Sequence, residues 1–176
     1  MAGNEMIERG ANTVRINIRP IAPADDAAMA KIVRDNLKSH HLDVPGTAYY
    51  DPELEHLSRF YSGGINTRAY FVAAAEDGRA VGGIGMDVFP GFESCGEIQK
   101  LYISDEIKRQ GVGQRLLDCI EAYARNNGIQ RLYLETHSAL KAAVCLYEKN
   151  GYHRIDKPKE VVHNTMDLFY IKELTP

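Results

Sequence analysis

The chain has 176 residues, of which 44% are hydrophobic and 26% are charged, and its formal net charge is −3. A chain of this length and composition can form one globular domain that needs neither disulfides nor a metal ion to fold. The slightly acidic balance argues against nucleic acid as the main partner, and the short apolar runs argue against a membrane span.

The cysteine pattern and the N-terminal composition indicate the compartment. Cys95, Cys119 and Cys145 are an odd number without CxxC spacing, which matches neither a disulfide framework nor a zinc ribbon. Residues 1–12 lack the apolar segment of a signal peptide. We therefore expect a cytoplasmic protein with a flexible tail at 1–12 and one folded domain at 13–176.

The first part of the chain predicts one strand followed by two helices. Alternating apolar residues predict a strand at 13–19, and prolines end it. Asp25 or Asp26 is a candidate N-cap for a helix that reaches Leu37. Asp51-Pro52 has the composition of a second helix start, and Gly63-Gly64 ends that short helix.

The rest of the chain predicts three consecutive strands and then alternating helices and strands. Asp77-Gly78 joins the first two of these strands as a hairpin. The predicted strands are 70–75, 80–89, 96–103, 131–135, a short one starting at Tyr152, and 166–174; the predicted helices are 113–126 and 139–149. This order predicts a single α+β domain.

The stretch from Glu97 to Gln114 contains the clearest binding signal. A strand ends in a turn where Gly111 and Gly113 leave backbone amides accessible, and a helix N-terminus follows. Such a turn is suited to a phosphate or pyrophosphate, and Lys108 and Arg109 add positive charge.

The glycine spacing alone is not specific, because ordinary strand-to-helix turns have it as well. A P-loop would require Gly-Lys-Ser/Thr, but Gln114-Arg115 follow the second glycine. A dinucleotide fingerprint would require a third small residue, where this chain has Leu116.

Three segments together resemble the GNAT superfamily of N-acetyltransferases. GEIQKLYISDEIKRQGVGQRLL resembles its strand and pyrophosphate turn, Q/R-x-x-G-x-G/A, and LYLETHSALKAAVCLYEKNGYH resembles its later strand and helix. VRINIRPIAPADDAAM is similar to the opening segment of the family. The first segment departs from the pattern at Lys108, where the family more often has Arg or Gln.

The resemblance implies a fold, a co-substrate and a reaction. The fold would be a three-layer α/β/α domain of the α+β class, with a mixed, mostly antiparallel sheet of about seven strands. The reaction would be acetyl transfer from acetyl-CoA to a primary amine of a small molecule or peptide. The implied cofactor-binding residues are Leu101 and Ile103 at the pantetheine arm and Lys108, Arg109, Gln110, Gly111, Val112, Gly113 and Gln114 at the pyrophosphate.

The resemblance also implies the catalytic residues. Tyr147 has the position of the general acid that protonates the leaving thiolate, although a tyrosine on this apolar helix face could simply pack. Glu97 has the position of a carboxylate that deprotonates the amine, and it shares a strand face with Gln99. Glu135 at the end of the next strand is a weaker candidate. The alternative for both carboxylates is an ion pair at a strand end.

Other residues leave alternatives open. The family often has an asparagine where this chain has Leu140, and Ser138 is a candidate substitute. His40-His41 and Asp43 fit a polar loop better than a metal site, because adjacent histidines cannot easily face one ion. Helical Cys119 and Cys145 fit packing roles, which disfavours an acyl-cysteine route.

The acceptor identity is open at the level of sequence. We expect the acceptor between the first two helices, the loop 38–50 and the hairpin end 89–94. Tyr49, Tyr50, Phe89 and Phe92 either line that pocket or cover the core. The competing function is a non-catalytic acyl-CoA-binding regulatory module of the same fold, and a homodimer through the last strand is compatible with the sequence.

Overall fold

The computed structural model describes residues 15–62, 68–161 and 165–174. The strands are β1 (Asn17–Pro20), β2 (Ala69–Ala74), β3 (Ala80–Val88), β4 (Cys95–Ile103), β5 (Arg131–Thr136), β6 (His153–Ile155) and β7 (Leu168–Glu173). The helices are α1 (Asp26–Ser39), α2 (Leu57–Ser62), α3 (Val112–Asn126) and α4 (Lys141–Lys149), with short 3₁₀ turns between some elements. The expected element order is confirmed.

One seven-stranded sheet organises the domain, in the order β1-β2-β3-β4-β5-β7-β6. The β4–β5 pair is parallel, and the other five pairs of described strands are antiparallel. The expected mixed, mostly antiparallel sheet of an α+β domain is therefore confirmed. Its strands β2 and β3 are apolar almost throughout because helices cover both faces.

Two apolar clusters lie on opposite faces of this sheet. The first joins one face to α3 and α4, through residues such as Leu116, Leu117 and Ile120. The second joins the other face to α1 and α2, through Met29, Val33 and Leu57 among others. We call these the α3–α4 face and the α1–α2 face. No helix among the described residues is long and apolar enough to cross a membrane.

One predicted capping role is wrong, and another is confirmed in position only. Asp51 does not cap a helix with its side chain, because that carboxylate pairs with Lys100 Nζ at 2.7 Å, and a 3₁₀ turn leads into α2 instead. Asp25 occupies the predicted N-cap position of α1 but makes no side-chain cap bond, because its carboxylate accepts from Arg19 and from the Ala22 N–H.

The start of α4 also differs from the prediction. The helix begins at Lys141 rather than at 139, because residues 137–140 form a turn. Asp167 holds that turn by accepting from the Ser138 N–H at 2.7 Å and the Ser138 hydroxyl at 2.6 Å. The predicted tail 1–12, the start of the first predicted strand at 13–14 and the Gly63-Gly64 helix stop lie outside the described residues.

Candidate active site

A gap opens between the two parallel strands in the middle of the sheet. The pairing of β4 with β5 runs from Cys95↔Arg131 to Ile98↔Leu134 and goes no further. Beyond Ile98, β4 continues along β3, while β5 continues along β7 up to Thr136. The β4 edge from 99 to 103 therefore has no described strand on its β5 side, which leaves backbone groups available to a ligand.

A bulge at Lys100 changes which face the following residues occupy. Lys100 has a φ of 50°, and the β3–β4 register shifts at the same place. Ile98 lies in the cluster of the α3–α4 face, and Leu101 and Ile103 pack against that cluster too. Tyr102 packs against the cluster of the α1–α2 face.

The backbone of Ile103 points into the gap. The N–H of the next residue, Ser104, donates to Val81 O at 2.8 Å, toward β3. Because hydrogen-bonding direction alternates along an antiparallel pair, the Ile103 N–H and C=O point away from β3. Asn36 Nδ2 donates to that carbonyl at 3.0 Å, so α1 takes up the acceptor. By the same alternation, the N–H and C=O of Leu101 also point away from β3.

The glycine turn follows the end of this strand. Gly111 has a φ of 74° and precedes α3, and Arg109 has a φ of 63°. Among the described residues, no backbone carbonyl accepts from the amides of 109–114. These amides can therefore bind an anion, as helix N-termini do.

The side chains around the turn contact the protein instead. Lys108 pairs with Asp105, and the side-chain amides of Gln114 and Asn150 donate to each other at 2.7 and 2.8 Å. Gly113 packs closely, since a Cβ there would lie 3.2 Å from Ile103 Cδ1. The groups at this turn that have no described protein partner are therefore backbone amides.

Tyr147 lies in α4 and is only 5% exposed. Its ring makes an edge contact with Tyr152, with 5.7 Å between ring centroids, so the predicted packing contact exists. The hydrogen bonds of the described residues nevertheless include none to its hydroxyl. Burial, and then the neighbouring phenol of Tyr102, raise the pKa of Tyr147, so the hydroxyl keeps its proton at neutral pH.

Glu97 is a half-buried carboxyl on β4. The pKa of Glu97 is raised to about 7, mainly by burial and to a smaller extent by the charges of Glu135 and Asp87, while the Gln99 hydrogen bond and the charge of Lys100 oppose the shift. Gln99 Nε2 donates to Glu97 Oε2 at 2.9 Å. A carboxyl with this pKa can both accept and release a proton near neutral pH.

Glu135 lies on the same face of the sheet as Glu97. The register pairs Glu97 with Tyr133, and Tyr133 and Glu135 are two residues apart on β5. The Tyr133 hydroxyl donates to Glu135 Oε1 at 3.2 Å. The structure thus brings the two predicted carboxylates to neighbouring strands, as strand alternation suggests.

Tyr61 and Lys100 of this candidate site were not singled out from the sequence. The Tyr61 hydroxyl on α2 donates to Gln99 Oε1 at 2.7 Å, so Gln99 joins α2 to Glu97. The ammonium of Lys100 is nearly buried between Asp51 and Glu53, at 2.7 and 3.0 Å. The sequence contains one signal for the contact of Tyr61: Gly85 lies inside a strand, and a glycine in that position often marks a place where another group approaches the backbone closely.

The four aromatic residues expected at the acceptor pocket or over the core differ in their surroundings. Phe89 stacks on Tyr133 with 4.1 Å between ring centroids, and Phe92 packs against the same pair, so both cover a small apolar cluster. Tyr49 is half-buried, with the Arg34 guanidinium over its ring, and Tyr50 is exposed.

The remaining residues named from the sequence contact other protein groups. His40 Nδ1 lies 2.9 Å from the carbonyl of Asn36, and the described residues contain no group of three or more potential metal ligands. Leu140 packs against the cluster of the α1–α2 face, and the Ser138 hydroxyl donates to Asp167. A groove of about 580 Å³ near Phe92 and Arg131 contains none of the predicted catalytic or cofactor-binding residues.

Comparison with known proteins finds a family match for most of the chain. Residues 29–152 match the family described as "Acetyltransferase (GNAT) family". An Escherichia coli K12 protein named "Uncharacterized N-acetyltransferase YjgM" is 35% identical over 150 residues, which are 80% of this chain and 87% of the relative.

Solved structures have the same fold at low sequence identity. A GNAT-family acetyltransferase from Staphylococcus aureus Mu50 superposes with a TM-score of 0.76 at 18% identity, covering 91% of this chain and 99% of that one. A phosphinothricin acetyltransferase from Sinorhizobium meliloti, determined in complex with AcCoA, has a TM-score of 0.69 at 19% identity, covering 90% and 88%.

Proposed function

The chain belongs to the acetyltransferase (GNAT) family of acyltransferases, and we propose that it transfers the acetyl group of acetyl-CoA to a primary amine of a small molecule or peptide. The proposed reaction is direct attack of the amine in a ternary complex. The observation that carries it is one gap in the sheet with a free turn at one end, a half-buried carboxyl of pKa about 7 on β4 and a protonated tyrosine on α4.

The cofactor half of the proposal rests on backbone groups. The unpaired amides of residues 109–114 would accept the pyrophosphate at the start of α3. The outward-pointing backbone of Leu101 and Ile103 would hold the pantetheine arm along the open edge of β4. This arrangement would orient the thioester between Glu97 and Tyr147.

The chemical step then requires proton transfers at both the nitrogen and the sulfur. Glu97 in its ionised form removes a proton from the acceptor ammonium, and the neutral amine forms a bond to the acetyl carbonyl carbon. The nitrogen then carries a positive charge and releases its second proton to solvent. The carbon–sulfur bond breaks, and Tyr147 donates its proton to the departing sulfur. Solvent returns a proton to Tyr147 and takes the proton from Glu97, so each group regains its initial state.

The acceptor would approach from the α1–α2 face. Glu97 and Glu135 lie there on neighbouring strands, and Asp87 is close enough to influence the pKa of Glu97. Carboxylates around the reacting position favour a cationic acceptor over an anionic one, which fits an amine.

A pH–rate profile of thiol release tests this assignment. Because Glu97 acts as a base only when ionised, and burial raises its pKa to about 7, kcat/KM should fall as the pH drops below that value. Glu97→Gln should lower kcat/KM by about 10²-fold and remove this acidic limb, while acetyl-CoA affinity stays the same.

A panel of primary amines provides the acceptors for that assay. If Glu97→Gln retained the wild-type profile with its acidic limb, the base assignment would be wrong. Tight acetyl-CoA binding with no thiol release for any amine would instead favour a non-catalytic acyl-CoA-binding module.

A further inference from the structure

Glu97 is the end of a hydrogen-bond chain that begins on α2. The Tyr61 hydroxyl donates to Gln99 Oε1 at 2.7 Å, and Gln99 Nε2 donates to Glu97 Oε2 at 2.9 Å. A side-chain amide has a donor end and an acceptor end. Since Tyr61 occupies the acceptor end of Gln99, the donor end is directed at the carboxylate.

The backbone of β3 leaves room for this chain. Gly85 lies opposite Gln99 in the register. A Cβ at this position would lie 2.8 Å from both Cζ and the hydroxyl oxygen of Tyr61, closer than a side chain tolerates. Tyr61 is 4% exposed, and its ring packs against Phe60 and Tyr70, with 4.9 and 5.0 Å between centroids.

Two further contacts hold the segment that carries Tyr61. Asp26 on α1 accepts from the Ser58 N–H at 2.8 Å and from the Ser58 hydroxyl at 2.7 Å. Lys100, next to Gln99 on β4, pairs with Asp51 and Glu53 just before α2. The phenol of Tyr61 is thus fixed from α1 and from β4.

The groups that face Glu97 come from four elements. Gln99 and Lys100 lie on its own strand, Asp87 with its partner Arg68 lies on the β3 side, Tyr133 and Glu135 lie on β5, and Tyr61 reaches it through Gln99 from α2. Of these, Gln99 is the hydrogen-bond donor to the Glu97 carboxylate.

We propose that Gln99, oriented by Tyr61, is a positioning residue that fixes the Glu97 carboxylate for proton removal from the acceptor amine. The inference rests on the proposed function, because it assumes that Glu97 is the base. Gln99 would hold Oε2 and leave Oε1 to accept the proton. Its donation also stabilises the ionised form, which is the form that acts as a base.

The test compares pH–rate profiles of Gln99→Leu, Tyr61→Phe and the double variant. Gln99→Leu removes the donor, so the acidic limb should move up by about one pH unit, and kcat/KM at pH 7 should fall about fivefold through the smaller ionised fraction of Glu97. Tyr61→Phe should move the limb in the same direction by a smaller amount. The double variant should match Gln99→Leu alone, because Tyr61 acts through Gln99.

Tyr170→Phe is the matched control. Tyr170 is 2% exposed and donates to Glu148 Oε1 at 2.9 Å, so the variant also loses a hydrogen bond from a buried tyrosine, but on the α3–α4 face. It should leave the acidic limb in place. Partial recovery of Gln99→Leu at high pH would further distinguish a shifted base from a damaged fold.

The outcomes separate the two proposals. If Glu97→Gln is inactive while neither Gln99→Leu nor Tyr61→Phe moves the limb, the positioning role is wrong and the base assignment stands. Additive effects of the two variants would also contradict the chain. If Glu97→Gln is fully active, the base assignment itself fails. If Gln99→Leu does not fold, Tyr61→Phe decides: an upward shift of its acidic limb supports the positioning role, and an unmoved limb contradicts it.

Discussion

The two sides of the gap are built in different ways. On the proposed cofactor side, the groups that would bind the ligand are backbone amides at 109–114 and the open edge of β4, while nearby side chains contact other protein groups. On the proposed acceptor side, the groups are the side chains of Glu97, Gln99, Tyr61 and Lys100, which connect β4 to α2 and the segment before it.

This difference determines how well each side tolerates amino-acid substitutions. A backbone-built site depends on the conformation of one local turn, and many side chains satisfy it. A side-chain site depends on the identity of each group and on the packing that fixes it. Substitutions should therefore affect the cofactor side mainly through dihedral angles and the acceptor side mainly through charge and hydrogen bonding.

The largest expected effect is at Tyr147, the proposed proton donor. Tyr147→Phe should lower kcat by about 10²-fold, because the leaving thiolate loses its proton donor. Acetyl-CoA affinity should not change. The free energy of unfolding should also stay within about 0.5 kcal/mol, because no described residue hydrogen-bonds to this hydroxyl. Steady-state kinetics and urea unfolding measure these quantities.

Tyr152→Phe provides the contrast for Tyr147. The Tyr152 hydroxyl donates to Glu121 Oε1 at 3.0 Å in a buried position, so its loss should cost about 1 kcal/mol of stability. Its turnover should be close to that of the wild type. Wild-type turnover in Tyr147→Phe would leave this residue with packing alone.

The next effect concerns the acceptor-side ion pairs. Lys100 is 6% exposed and contacts Asp51 and Glu53, so Lys100→Met leaves two carboxylates without their cation. We expect a loss of about 2–3 kcal/mol, less than for a fully buried pair because the carboxylates are partly exposed. Lys31→Met breaks an exposed pair with Asp35 and should cost less than about 0.5 kcal/mol. Equal losses in urea unfolding would contradict the structural role of Lys100.

The sequence predicts local features better than contacts between distant segments. The hairpin of β2 and β3 and the helix α3 follow from turn residues and apolar periodicity within short windows. The Asp51 cap was predicted wrongly because the partner of that carboxylate lies on β4, far along the chain. At Asp51 the tertiary ion pair with Lys100 outweighs the local preference of aspartate for a helix N-cap.

The same reasoning applies to the candidate site. The glycine turn and the shared face of Glu97 and Gln99 could be predicted, because both depend on neighbouring residues. The Tyr61–Gln99 hydrogen bond spans 38 residues and depends on how α2 packs, which no local pattern contains. Gly85 was the one local signal of this contact. The sequence shows a glycine inside a strand, but only the structure shows that the Tyr61 ring occupies the space of the missing side chain.

The smallest expected effect separates turn conformation from cofactor binding. Gly111 and Gly128 have φ values of 74° and 76°, and a Cβ would meet nothing within 4 Å at either position. Alanine should therefore cost about 1 kcal/mol of stability at both sites through backbone strain alone. Only Gly111→Ala should weaken acetyl-CoA binding, by about three- to tenfold, because relaxation of its turn would misalign the amides of 109–114. Calorimetric titration of both variants measures this, and equal affinities would mean that the turn does not hold the pyrophosphate.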